Sequence, residues 1–327
     1  MLFHSVMSEI SDKLILTLSL IIVSMLCGYL LRRTRFPADR VAGWIMTFVG
    51  VAGYSIVGFL TIWQLRPAGS AFSLPVLATA HVAILCGLGL VLAKTLLKER
   101  PLQGLLSIAS GAGNNGFTMG GFVIYLLFGE AGLGLVTVYG LAWTPTTVLI
   151  FYPIARHFAQ DGPREPLGRL MLRSIFDWRS VGLPITLAGL ALGYADVPRP
   201  AAIADYHVID ALVFTITPMA YFAIGLRLHA SDLAAGRKMI AALAGLRFVA
   251  GPLVGLMLVG LAALGPWPMD GLDRSVFLIE AFVPTAVTMV VVSSLFSLEP
   301  RRASLLFIVN TIMYLVIVLP ITLWLFG

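Results

Sequence analysis

The sequence is short of charge. Only 12% of its 327 residues are Asp, Glu, Lys or Arg, against 59% hydrophobic. A water-soluble globule of this length needs more polar cover, so that class is excluded. Cysteine is scarce as well. Cys27 and Cys86 both fall inside apolar stretches, which reads as ordinary packing and supports neither a disulfide nor a metal site. Enzyme signatures are missing: there is no HExxH, no GxSxG and no pair of aspartates inside an apolar run. A P-loop is missing too, which argues against ATP-driven transport by this chain alone. The alternating ten-residue segments of a membrane β-barrel do not occur. Ahead of the first apolar run stand His4, Glu9, Asp12 and Lys13, with no basic leader and no small-residue cleavage site, so that run is expected to be retained.

What the chain does have is long apolar runs. They fall at about 14–31, 42–65, 74–97, 102–128, 132–157, 180–196, 207–228, 239–265, 274–297 and 302–326. Most reach the roughly 20 residues that a helix needs to cross the hydrocarbon core. The expected fold is therefore an all-α membrane protein of ten transmembrane helices. Basic residues gather after the odd-numbered runs, as in Arg32, Arg33, Arg35 and Arg40 after the first and Arg156, Arg164, Arg169, Arg173 and Arg179 after the fifth. This bias puts those connections in the cytoplasm and both termini outside. It also accounts for the net charge of +6 without a nucleic-acid partner.

Short matches recur at a spacing of 165 to 168 residues. Gly28-Tyr29 answers to Gly193-Tyr194, Tyr54 to Gly58 answers to Tyr221 to Gly225, Leu127-Phe128 to Leu295-Phe296, and Pro153 to Pro320. The chain thus reads as a first five-helix repeat (1–157), a polar cytoplasmic linker with a candidate amphipathic helix (158–179), and a second repeat (180–327). Five is odd, so the second repeat enters the membrane from the opposite side. Inverted repeats of this kind are typical of secondary transporters.

Residues 111–121, GAGNNGFTMGG, place five glycines and two asparagines in the middle of the fourth run. The same spacing brings them opposite Ile279 to Thr288 in the ninth run, where Pro284 interrupts the pattern. Two helices broken at matching depths point to a binding site. The exposed N-terminal ends carry unpaired N–H groups and partial positive charge, suited to a carboxylate or similar anion. Asn114, Asn115, Gly116 and Thr118 on one side, with Pro284, Thr285 and Thr288 on the other, are the candidate substrate-binding residues. Plain small-residue helix packing is the competing explanation for the glycines.

With these stretches in view, the chain resembles the auxin efflux carrier family, which includes the plant PIN-type auxin exporters and bacterial carriers. The residues that carry the resemblance are Gly28-Tyr-Leu-Leu-Arg-Arg33, Gly113-Asn-Asn-Gly116, Phe128-Gly-Glu-Ala-Gly-Leu133, Pro218, Gly225-Leu226, and Glu280 to Thr288. The resemblance implies ten helices, a scaffold and a transport domain, crossed and broken fourth and ninth helices, elevator motion and a homodimer. It places the chain near the bile-acid-symporter and NhaA-like fold type. Two departures stand out: glycines (Gly120 or Gly121) where the family usually has a crossover proline, and Gly53-Tyr54-Ser55 where it often has one in the second helix. They leave the fold intact and bear on the substrate.

Charged groups inside the runs complete the reading. Glu280 is a costly intramembrane carboxylate and hence a candidate proton carrier, with Asn115 beside it. By resemblance to the bile acid:sodium symporters it is also a candidate sodium ligand. The competing role is a hydrogen-bonded cap on the broken helix. Arg247 is expected to snorkel toward the headgroups, the alternative being contact with a substrate anion. His81 is expected to hydrogen-bond near the interface, a proton relay being the alternative, Asn310 and Thr311 to line the site or bond between helices, and Asp205, His207 and Asp210 to be solvated. The resulting expectation is a non-enzymatic secondary carrier of a small organic anion in a cell membrane, the bacterial inner membrane by the resemblance. It would be driven by protons or membrane potential, run outward, and use no cofactor. Sodium-coupled uptake is the first alternative, and a non-transporting receptor on the same fold the second.

Overall fold

The computed structural model describes residues 19–65, 69–116, 119–159, 169, 181–227, 236–266, 268–269 and 271–327. Thr118 and nearly all of the linker helix expected at 167–178 lie outside these residues. Among the described residues the regular structure is helical, and the one strand-like feature is a single antiparallel bridge between Gly113 and Thr285. An apolar chain in a solvent without hydrogen-bonding groups must satisfy its backbone internally, which selects helix.

The helices, in chain order, are α1 (Ser19–Arg32), α2 (Ala38–Gln64) and α3 (Ser73–Leu96), then α4 (Arg100–Gly111), α5 (Gly120–Phe158) and α6 (Gly182–Tyr194). After these come α7 (Val208–Leu226), α8 (Arg237–Ala262), α9 (Gly271–Phe282), α10 (Val287–Leu295) and α11 (Pro300–Phe326). Six of the described helices, α2, α3, α5, α7, α8 and α11, are long and apolar enough to cross a membrane. α1 and α6 are shorter apolar helices. The fourth and ninth apolar runs are each divided: α4 stops at Gly111 and the helix resumes at Gly120, while α9 stops at Phe282 and resumes at Val287.

α5 is bent where Gly129 takes φ +61°. That left-handed conformation favours glycine, and it sets the junction between the fourth and fifth runs. Wide π-turns interrupt four helices: Val49–Gly53 in α2, Thr147–Phe151 in α5, Leu246–Ala250 in α8 and Tyr314–Val318 in α11. Such turns insert one extra residue and re-aim the side chains that follow.

Two groups of helices emerge from the packing. α2 lies against α6 and α7, while α3 lies along α4 and α8, α9 between α8 and α5, and α11 on α8 and α10. α2 also touches α5 and so joins the groups. α1 crosses α7 at Gly28 and Gly225, where a Cβ on either glycine would collide with the partner backbone. Small residues of this kind let helices associate by close packing where no hydrophobic driving force exists. The outer surface is apolar, with Trp44, Val91, Leu253, Val316 and Trp324 exposed, as suits contact with lipid.

Candidate functional site

The interrupted helices meet at their gaps. The amide of Asn114 donates to the carbonyl of Pro284 at 2.8 Å, and the amide of Ala286 donates to the carbonyl of Ala112 at 2.6 Å. These two bonds flank the Gly113–Thr285 bridge and lock the gaps together antiparallel. Backbone that leaves a helix inside a membrane must find other partners, and each gap supplies them to the other.

Several of the carbonyls stranded at the two C-terminal ends have side-chain donors. The hydroxyl of Thr285 donates to Ala109 O at 2.9 Å and to Ala112 O at 3.2 Å. The Asn115 amide donates to Glu280 O at 3.2 Å. The guanidinium of Arg247 reaches both ends at once: Nη1 donates to Ser110 O at 3.1 Å, and Nε donates to Val283 O at 3.0 Å, with Nη2 on the same oxygen. The Thr285 amide donates to Asn310 Oδ1 at 2.8 Å, which ties α11 to the bridge.

The N-terminal ends are treated differently. Glu280, fully buried, lies against the start of α5, so close that a Cβ on Gly120 would collide with its carboxylate. A negative charge there complements the positive end of the helix dipole. The Asn115 Nδ2 group donates to Glu280 Oε2 at 2.8 Å and lies 3.2 Å from the Tyr139 hydroxyl. α10 begins at Val287 and, like α5, has no side-chain cap. Beside it, Asn310 Nδ2 is buried without a hydrogen-bond partner, and Glu280 Oε1 is in the same condition across the bridge. Tyrosines surround this core: the Tyr54 ring lies 3.6 Å from the Cβ position of Gly116, the Tyr221 hydroxyl bonds Met119 Sδ at 2.9 Å, and the Tyr314 hydroxyl is buried.

The sequence-derived candidates are thus gathered in one place, except Thr118, which is not described. Asn114, Asn115, Gly116, Pro284 and Thr285 form the crossing itself, and Thr288 sits in the first turn of α10. Thr285 is fully buried with both its hydroxyl and amide engaged, so it acts as a strut. Arg247 corrects an expectation. It does not snorkel; it is 1% exposed and points inward. The sequence held a clue, because Arg247 stands about nine residues into its run, roughly 13 Å deep at 1.5 Å per residue. His81 is buried within the protein, its Nε2 2.9 Å from Gly251 O. Asp210 is only half solvated and accepts a hydrogen bond from Tyr125. Tyr139 and Tyr314 carried no signal in the sequence beyond their polarity in apolar runs.

The comparison with protein families decides the class. Residues 169–325, just under half of the chain, match the family described as membrane transport protein. Over these residues the chain is similar to that family. α9, α10 and Arg247 fall inside the matched residues, while the GAGNNG stretch falls outside them. No curated protein matches the chain. The protein is a multi-pass membrane transporter.

Proposed function

We propose that this transporter is a secondary carrier of a small organic anion, held at the crossing of the two broken helices. One observation carries the reading: of the four helix ends at the crossing, the two C-terminal ends receive donors from Arg247, Thr285 and Asn115, while neither N-terminal end has a side-chain cap, the start of α5 lying against the Glu280 carboxyl and the start of α10 beside Asn310. A positive helix end with a buried, unpartnered Asn310 amide beside it suits a carboxylate. In this reading Asn114, Asn115, Gly116, Thr118 and Thr288 contact the substrate, and Pro284 and Thr285 hold the wall of the site. Glu280 with Asn115 carries the coupling proton. Aromatic and aliphatic acids both fit the chemistry.

The wider architecture follows the same reading. The chain crosses the membrane ten times as two inverted five-helix repeats, with both termini outside, as a homodimer in a bacterial inner membrane. Supporting this, the π-turns of α5 and α11 begin at Thr147 and Tyr314, and α5 and α10 begin at Gly120 and Val287, each pair about 167 residues apart. The group containing the crossing moves against α1, α2, α6 and α7 in an elevator stroke, and net flux is outward. Sodium coupling has one observation in its favour, the unpartnered Glu280 Oε1.

The test is thermal stabilisation of the purified protein by a panel of organic acids at pH 5.5 and 7.5, with and without sodium. A ligand that binds only the folded state raises the melting temperature. Stabilisation by one acid class, weakened in Asn115→Ala, is the expected result. No stabilisation by any acid would remove the main support for an organic-anion substrate.

A further inference from the structure

Among the described residues, Arg247 is the largest fully buried side chain. A buried charge persists only where it is paired or fully hydrogen-bonded. The donors of Arg247 go to main-chain carbonyls at the ends of α4 and α9, not to a carboxylate. Three features of the fold serve this placement. Arg247 is the second residue of the π-turn Leu246–Ala250, which re-aims α8 at the crossing. Gly113 leaves room for the guanidinium, since a Cβ there would come within 2.8 Å of Nη2. Gly251 lets α8 approach α9, its Cβ position being 2.9 Å from Ala281 O.

We infer that Arg247 is the resident cation of the crossing, a guanidinium fixed at the joined C-terminal ends of α4 and α9 in the place of a bound inorganic cation. Each helix end is equivalent to about −0.5 elementary charge, so the two together ask for about +1. A guanidinium supplies that charge permanently, because it does not deprotonate in proteins. It also supplies directed donors, which a metal ion lacks. The charge of the two C-terminal ends is therefore balanced without sodium. The inference rests on the crossing being the transport site, but not on which anion is carried.

The experiment uses the full-length purified protein with no organic acid present. Melting temperatures are compared in sodium, potassium and choline chloride at equal ionic strength. The expected result is one melting temperature in all three salts. Arg247→Ala is expected to melt roughly 5–10 °C lower and to recover part of that loss in millimolar guanidinium or in sodium. Arg247→Lys is expected to fall between the two. If Arg247→Ala does not fold, the salt series on the wild type and on Arg247→Lys decides. A saturable stabilisation of the wild type by sodium over choline overturns the inference. So does an Arg247→Ala protein that folds and is either unchanged in stability or restored by neither cation. Because no acid is used, failure here leaves the organic-anion reading standing, and failure of the acid panel leaves this inference standing.

Discussion

Gly120 stands where the carboxylate of Glu280 needs room: a Cβ on that glycine would overlap the carboxylate itself. The first residue of α5 is thus a glycine for the sake of a side chain 160 positions later. Contact of this kind puts a carboxyl group at the positive end of a helix, deep in the protein and away from solvent.

Replacing Gly120 by Ala should therefore destabilise the transporter by about 1–3 kcal/mol through overpacking. The double variant Gly120→Ala with Glu280→Ala should recover most of that loss, because the clash has a single partner. A double-mutant cycle read by thermal melting checks the coupling. Additive losses would mean that the two residues do not share the space.

Glu280→Gln keeps the shape of the side chain and its bond from Asn115 while removing the ability to carry charge. The variant should fold with a melting temperature close to that of the wild type. Proton-linked uptake into proteoliposomes should fall by at least tenfold, and any difference in acid-induced stabilisation between pH 5.5 and 7.5 should disappear. Normal proton-linked uptake by this variant would exclude Glu280 as the coupling group.

Thr285→Val removes a hydroxyl that serves two stranded carbonyls, Ala109 O and Ala112 O. Ala112 O keeps the Ala286 amide as a donor, but leaving the buried Ala109 O without its donor costs about 1–3 kcal/mol. The expected phenotype is lower stability with an unchanged ranking of acids in the binding panel. A changed ranking would show that Thr285 touches the substrate rather than bracing the crossing.

Asn310→Ala removes both uses of its amide at once. Loss of Oδ1 leaves the Thr285 amide unpaired, and loss of Nδ2 removes the donor beside the start of α10. Affinity for a stabilising acid should drop about tenfold, the equivalent of about 1.4 kcal/mol. Asn310→Asp restores an acceptor for the Thr285 amide but not the donor, so it should recover stability without recovering affinity.

Gly28 and Gly225 bring the backbones of α1 and α7 into contact. Alanine at either position should lower the melting temperature, and should do so without altering the relative response to the acid panel, because the crossing lies elsewhere. A selective loss of binding in Gly225→Ala would instead tie this contact to the site.

Much of this molecule was legible in one dimension. Continuous apolar runs dictate helix in any solvent that cannot bond the backbone, so the helical class and its membrane setting needed no coordinates. The two breaks were legible because glycine and proline fail to continue a helix for local reasons. Even the pairing of GAGNNG with the stretch around Pro284 could be argued from spacing. Local rules end there. That Arg247 turns inward depends on a π-turn in α8 and on the space that Gly113 leaves, and neither is a property of the residues next to it. That Thr285 is a strut while Thr288 lies in the first turn of α10 depends on which carbonyls happen to face each threonine across the crossing. Sequence by itself determined where the chain is helical, where it breaks and in what medium it lives, since each follows from neighbours a few residues away. Tertiary structure alone decided which stranded backbone groups are already satisfied, because their partners come from residues 25 to 176 positions distant.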